Sequence, residues 1–163
     1  MKIIYESNTG NTKMLAYHIK EKFKDAEIYD VTQNPNVDGE VFFLGSWCDK
    51  GSMGEKIKSY ASKLHHKKVF VFGTCGFGKD ENYFQMIADR MTACVPSNNE
   101  IIGSFVCQGK INPNFQKKYE MMLLDDKTKK QAEMMLENFK LAESHPTQDD
   151  LNQLTEKLNL TNL

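Results

Sequence analysis

Short apolar runs recur along the first two thirds of the chain, at Lys2–Tyr5, Val41–Leu44, Val69–Phe72 and Ile101–Cys107, with a weaker alternating run at Ala26–Val31. They are rich in β-branched and aromatic residues and too short for core helices, so they read as five strands. Several are apolar at nearly every position, the pattern of strands covered on both faces of a parallel sheet. Between them the apolar residues fall at helical spacing. Leu15, Ile19 and Phe23 do so within Thr12–Lys24. Met53, Ile57, Tyr60, Ala61 and Leu64 form a second stripe, and Phe84, Ile87, Ala88 and Met91 a third that stops before Pro96. Alternating strand and helix predicts a doubly wound α/β sheet. The link Thr32–Gly39, which contains Asn34-Pro35-Asn36, is too short for a full helix.

After Cys107 the pattern changes. Residues 108–144 read as a helical insertion with two stretches, one carrying Phe115, Tyr119, Met122 and Leu123, the other Ala132, Met135, Leu136 and Phe139. The Met121-Met122 and Met134-Met135 pairs suit either an adaptable docking surface or ordinary core. Pro146-Thr147 then opens a C-terminal helix over 147–159. Thr147 can cap it, Asp149 and Asp150 favour its N-terminal dipole, and Leu151, Leu154 and Leu158 form its buried face.

The totals narrow the function classes. A chain of 163 residues with 40% hydrophobic content makes a single domain, 1–163, with a full core. A formal net charge of −1 provides no long-range field to recruit nucleic acid or an anionic membrane. No window is apolar enough to cross a bilayer and residues 1–25 lack a secretory pattern, so the expected location is cytoplasmic. Cys48, Cys75, Cys94 and Cys107 contain no C-x-x-C pair and are expected to be reduced thiols rather than zinc ligands or a redox couple. His18 has no partner at metal-ligand spacing, and no metal is expected.

Chemistry concentrates in three loops that leave the carboxyl ends of strands, where ligands bind in open parallel sheets. The first, Ser7-Asn8-Thr9-Gly10-Asn11-Thr12, joins the first strand to the first helix. The unpartnered N–H groups and positive dipole end of a helix favour anions there. Three hydroxyls and two side-chain amides add donors, and Gly10 permits a close approach. Two readings follow: a phosphate cradle that needs no lysine, or a Ser/Thr/Asn helix cap. The second loop, Gly45–Ser52, holds Trp47, the only tryptophan, and the third, Gly73–Asp80, places Phe77 among glycines. Rings among small residues suit stacking on a flat ligand. The third loop is not a nucleotide-binding P-loop, because Asp80 stands where a magnesium-binding hydroxyl is required. It is not a dinucleotide fingerprint either, because Glu81 occupies the third glycine position. No nucleophile elbow or nucleophile–base set is present, and no catalytic residue is assigned.

Taken together, a strand followed by Ser-Asn-Thr-Gly-Asn-Thr, a Gly-Ser-Trp loop after the third strand and a Gly-Thr-Cys-Gly loop after the fourth resemble the flavodoxin family, over the chain to Cys107 and the last helix. The resemblance implies a five-stranded parallel sheet in the order 2-1-3-4-5 with helices on both faces and an extra helical segment after strand 5. It also implies FMN as a non-covalent cofactor, whose phosphate would lie on Ser7, Asn8, Thr9, Gly10, Asn11 and Thr12. Trp47 would be one stacking ring and Phe77 or Tyr83 the other. Ser46, Cys48, Asp49 and Gly51 from the second loop, and Thr74, Cys75, Gly76 and Gly78 from the third, complete the expected cofactor contacts. FMN ends in a phosphate monoester that donors can surround, whereas the diester of FAD would have to continue outwards through them. FMN is therefore expected over FAD and riboflavin.

The implied function is electron transfer between a reductase and an acceptor enzyme, by a monomer or weak homodimer. Gly51, or Gly54, would supply the peptide rotation needed to offer a carbonyl to flavin N5. Two other functions remain open. One is an FMN-dependent oxidoreductase acting on a quinone or another conjugated small molecule, and the other a flavin-free interaction module. The family's usual acidic character is missing, and Lys50 and Lys79 stand beside Asp49 and Asp80 near the expected ring site.

Overall fold

The computed structural model describes residues 1–78 and 80–163. Strands β1 (Lys2–Tyr5), β2 (Glu27–Asp30), β3 (Val41–Asp49), β5 (Lys68–Cys75) and β6 (Glu100–Gln108) form a parallel sheet in the order β2-β1-β3-β5-β6. The two-residue β4 (Ser52–Met53) folds back antiparallel on the end of β3. With β4 set aside, this is the expected 2-1-3-4-5 order.

Alternation along the central strands feeds two cores. Ile4, Phe42, Leu44, Val69, Val71 and Val106 face one side, where α2 (Glu55–Ala61) and α3 (Glu81–Thr92) contribute Ile57, Tyr60, Ile87 and Met91. Ile3, Tyr5, Phe43, Phe70, Phe72 and Phe105 face the other. There α1 (Asn11–Lys22) and α6 (Gln148–Asn159) contribute Leu15, Ile19, Leu154 and Leu158. Because strands buried on both faces need apolar residues at every position, β3 and β5 read in the sequence as nearly unbroken apolar runs.

Several boundaries differ from expectation. Helix α1 ends at Lys22 rather than Lys24, and Phe23, past its last turn, stacks on Phe43 with ring centroids 5.2 Å apart. Helix α2 is shorter than its stripe: Met53 pairs in β4, Gly54 is the N-cap, and Leu64 lies beyond the helix while remaining buried. The larger correction concerns the second and third loops. Gly45 to Asp49 continue β3, and Gly73 to Cys75 continue β5. Gly45, Ser46 and Trp47 pair with Phe72, Gly73 and Thr74, and Cys48 and Asp49 pair with β4. Glycine, serine and aspartate, which have little strand propensity, are held extended here by pairing with β4, β5 or β6, which local preference does not register. Between β2 and β3 there is a single 3-10 turn, Val31–Gln33, in accord with the short link.

The insertion forms two helices, α4 (Asn114–Met122) and α5 (Lys129–Ala142). Helix α4 buries none of its residues, whereas α5 buries Ala132, Asn138, Phe139 and Ala142. Helix α6 starts as its sequence predicts: the Thr147 hydroxyl accepts from the Asp150 N–H, and the Asp150 carboxylate accepts from the Thr147 N–H. His18, on α1, hydrogen-bonds through Nε2 to the Thr155 hydroxyl of α6 at 2.8 Å.

Candidate functional site

The first loop leaves the carboxyl end of β1 and enters α1 through Gly10, which sits at φ 90°, ψ −13°. That conformation is costly for any residue with a Cβ. A Cβ at Gly10 would meet nothing within 4 Å, so dihedral angle rather than crowding requires glycine there. The polar side chains of the loop hold its shape. Ser7 Oγ accepts from the Gly10 N–H at 3.1 Å. Asn11 Nδ2 donates to Thr9 Oγ1 and to the Lys110 carbonyl, both at 2.8 Å, tying the loop to the segment after β6.

None of these side chains caps the helix: α1 has no side-chain hydrogen bond at its N-cap. Helices α3 and α6 do, from Asp80 to the Tyr83 N–H and from Thr147 to the Asp150 N–H. The helix-cap reading of the hexapeptide is therefore not what the chain builds. Asn8, Thr9 and Gly10 are exposed at a helix start left open to an anion. Thr12 is buried, and its hydroxyl lies 2.9 Å from that of Thr74, so it joins β5 to α1.

Trp47 lies on the extension of β3. The turn that follows, Lys50-Gly51, has both residues at positive φ, 48° and 82°, as a two-residue hairpin requires. Gly51 thus occupies a conformation suited to glycine, whereas Gly54 has an ordinary φ of −61°. The buried Ser46 hydroxyl donates to the Trp47 carbonyl at 2.7 Å and accepts from the Gly54 N–H at 2.8 Å, fixing the loop from beneath. Cys48 and Asp49 are half-buried, and Lys50 is exposed. Burial pushes the Cys48 thiol pKa up.

Glu6, which residue patterns did not single out, belongs to this corner. It is 7% exposed, and its Oε2 accepts from the Ile57 N–H at 3.2 Å, so a carboxylate just past β1 caps α2. A Cβ on Gly54 would lie 2.6 Å from Glu6 Oε2 and 3.0 Å from Trp47 Nε1, which places these three groups together. Trp47 Nε1 is shielded from solvent and, among the described residues, has no hydrogen-bond partner. The only hint in the sequence was an acidic residue directly after an apolar strand.

In the third loop Thr74 and Cys75 belong to the end of β5. Burial pushes the Cys75 thiol pKa up to about 12, which removes it as a thiolate nucleophile near neutral pH. Its Sγ donates to the Phe77 carbonyl at 3.2 Å. The Phe77 ring is 36% exposed and meets Tyr83 edge-on, with centroids 5.7 Å apart. Tyr83 is half-buried and packs in turn against Phe84. Phe77 is thus the more exposed of the two rings, and Tyr83 packs against it. Gly76 and Gly78 are held by Gln108 and Asn138, two further residues that local sequence patterns did not reveal. Lys79 lies outside the described residues.

The β1, β3 and β5 carboxyl ends thus bring together an open helix start, a tryptophan with an unmet donor and an exposed phenylalanine. All four cysteines are free thiols, and the described residues contain no cluster suited to a metal ion. Among them, no helix is long and apolar enough to cross a membrane.

Comparison with known proteins agrees with this arrangement. The family model described as Flavodoxin domain matches residues 2–159. The chain is 34% identical over 155 residues to the flavodoxin-like domain-containing protein BilS of Clostridioides difficile, covering 91% of this chain and 88% of that protein. It is 28% identical to the BilS protein of Clostridium symbiosum, with the same coverages. Among solved structures, two-electron reduced Megasphaera elsdenii flavodoxin aligns with TM-score 0.50 at 26% identity, over 69% of this chain and 88% of that one. A Lactobacillus acidophilus flavoprotein in complex with FMN aligns with TM-score 0.50 at 17% identity, over 64% and 91% of the two chains, a likeness of fold.

Proposed function

Because the chain belongs to the flavodoxin family, we propose that it binds FMN non-covalently at the three loops and carries electrons between a reductase and an acceptor enzyme. The observation that carries this reading is the first turn of α1. It starts at the carboxyl end of a central strand, without a side-chain cap, behind a glycine in a left-handed conformation. A phosphate monoester close to a dianion satisfies such a helix start, with charge-assisted hydrogen bonds worth about 1.5–3 kcal/mol each. The Ser7 and Thr9 hydroxyls stand beside it. Asn11 and Thr12 keep the loop in place through Lys110 and Thr74.

The residues present fit the ring as well. Trp47 stands at the end of β3 beside Thr74 of β5, and the exposed Phe77 follows β5, so the two rings come from neighbouring strands. Bound FMN supplies reversible one- or two-electron exchange; the protein orients it, shields it from water and sets the charge around it. Burial holds the Cys75 and Cys107 thiols protonated near neutral pH, so neither serves as a thiolate beside the ring.

The test is an anaerobic reductive titration of the purified holoprotein, followed by turnover assays. The carrier reading expects a flavin spectrum, reduction in two separable one-electron steps, and little NAD(P)H consumption unless protein partners are added. Steady turnover with a quinone and no protein partner would establish an oxidoreductase. Colourless protein that fails to take up FMN would leave an interaction module.

A further inference from the structure

The helical insertion does more than thicken the domain. Asn138 of α5 and Gln108 at the end of β6 are both 7% exposed, and they meet beneath Gly76–Gly78. Asn138 Oδ1 accepts from the Gly78 N–H at 3.1 Å and from Gln108 Nε2 at 3.0 Å. Asn138 Nδ2 and Gln108 Nε2 both donate to the Gly76 carbonyl, at 3.1 and 3.2 Å. The Cys75 thiol holds the Phe77 carbonyl between them. Polar groups of three successive residues around the exposed Phe77 ring are thus held by buried side chains, one of them from the insertion. The fit is close: a Cβ on Gly78 would lie 2.3 Å from Gln108 Oε1.

We propose that Asn138, acting with Gln108, is a positioning residue that locks the Phe77 loop in its flavin-binding form, so that the insertion helix α5 controls how this wall of the site responds to the redox state of the flavin. The inference rests on reading Gly76–Gly78 as part of the FMN site. Its chemistry follows from the groups used. Two neutral amides fix the loop without adding charge beside the ring; the Gln108–Asn138 hydrogen bond is buried and those to Gly76 and Gly78 are part-buried, so removing the Asn138 amide leaves the buried Gln108 donor without its acceptor and frees the Gly78 N–H. With the Gly76 carbonyl and the Gly78 N–H engaged, these two groups are not free to reorient when the flavin is reduced. Asn138 touches no part of the first or second loop in its hydrogen bonding, so its influence runs through Phe77.

Three variants test this: Asn138→Leu, which removes the amide at similar volume; Asn138→Asp, which keeps the acceptor for Gly78; and Phe139→Leu, which loosens the same helix from a neighbouring buried position. Amide hydrogen exchange of Gly78 in the apoprotein is the readout that needs no cofactor. Asn138→Leu should speed it by about tenfold or more, and Asn138→Asp and Phe139→Leu much less. In the holoprotein, Asn138→Leu should shift the flavin midpoint potentials and weaken FMN by about tenfold, again unlike Phe139→Leu at comparable loss of melting temperature. Unchanged Gly78 exchange in Asn138→Leu overturns the lock. Equal effects of Asn138→Leu and Phe139→Leu on both readouts overturn the positioning role. Faster Gly78 exchange in a protein that takes up no FMN upholds the lock while rejecting the FMN site on which its redox role depends.

Discussion

Gly10 is the residue at which loop geometry and ligand chemistry separate most cleanly. Alanine at φ 90° costs about 1–2 kcal/mol in backbone strain, offset in part by the lower entropy of the unfolded chain. A Cβ there meets no protein atom within 4 Å, so no packing cost is added. Without ligand the loop can relax to relieve most of this strain, so the apoprotein of Gly10→Ala should lose only a few tenths of a kcal/mol, about 1 °C in melting temperature for a domain of this size. Rebuilding the cradle for a phosphate then restores the strain, which lowers FMN affinity by about 5- to 30-fold. Riboflavin has no phosphate and does not require the cradle, so its affinity should change little. Titration of apoprotein with each flavin, read by quenching of flavin fluorescence, measures the difference directly. Equal weakening of FMN and riboflavin, or no weakening of FMN, would refute the assignment of the hexapeptide to the phosphate.

Other substitutions probe the supports of the site. Thr12→Val should destabilise the apoprotein by about 1–3 kcal/mol by leaving the Thr74 hydroxyl buried and unpaired, and adding Thr74→Val should restore much of the loss, as a double-mutant cycle in thermal or denaturant unfolding will show. Glu6→Ala removes the acceptor for the Ile57 N–H and should cost about 1–2 kcal/mol in the same assays, while Glu6→Gln keeps an acceptor and should cost less. Burial holds the Cys75 thiol protonated up to about 12, whereas in the unfolded chain it ionises near its ordinary value of 9.0. The unfolded state therefore binds fewer protons between these values, and stability should fall as pH rises from about 9 towards 12, less steeply in Cys75→Ala.

Residues that act through their neighbours in sequence were legible in the chain. The unbroken apolar runs identified strands covered on both faces, the Leu15–Ile19 and Leu154–Leu158 spacings identified buried helix faces, and Thr147 announced the start of α6. The Ser7–Thr12 stretch marked the strand-to-helix turn, although whether its side chains cap the helix depends on geometry that residue types do not carry. What residue patterns missed was pairing across long separations. Trp47 and Cys75 looked like loop residues because glycine and serine beside them disfavour strands, yet Trp47 pairs with Thr74 of β5 and Cys75 with Gln108 of β6. Glu6, Gln108 and Asn138 are polar residues whose partners lie between 30 and 62 positions away. No local pattern distinguishes a buried asparagine on α5 from one on a solvated helix face.

Equilibrium titration of the wild-type apoprotein with FMN, riboflavin and FAD tests the central claim most directly, because the three ligands share one ring and differ at the phosphate. Two or more charge-assisted hydrogen bonds at the start of α1 predict that FMN binds at least about 100-fold more tightly than riboflavin, with FAD also far weaker. Affinities for riboflavin or FAD within about threefold of that for FMN would contradict the account.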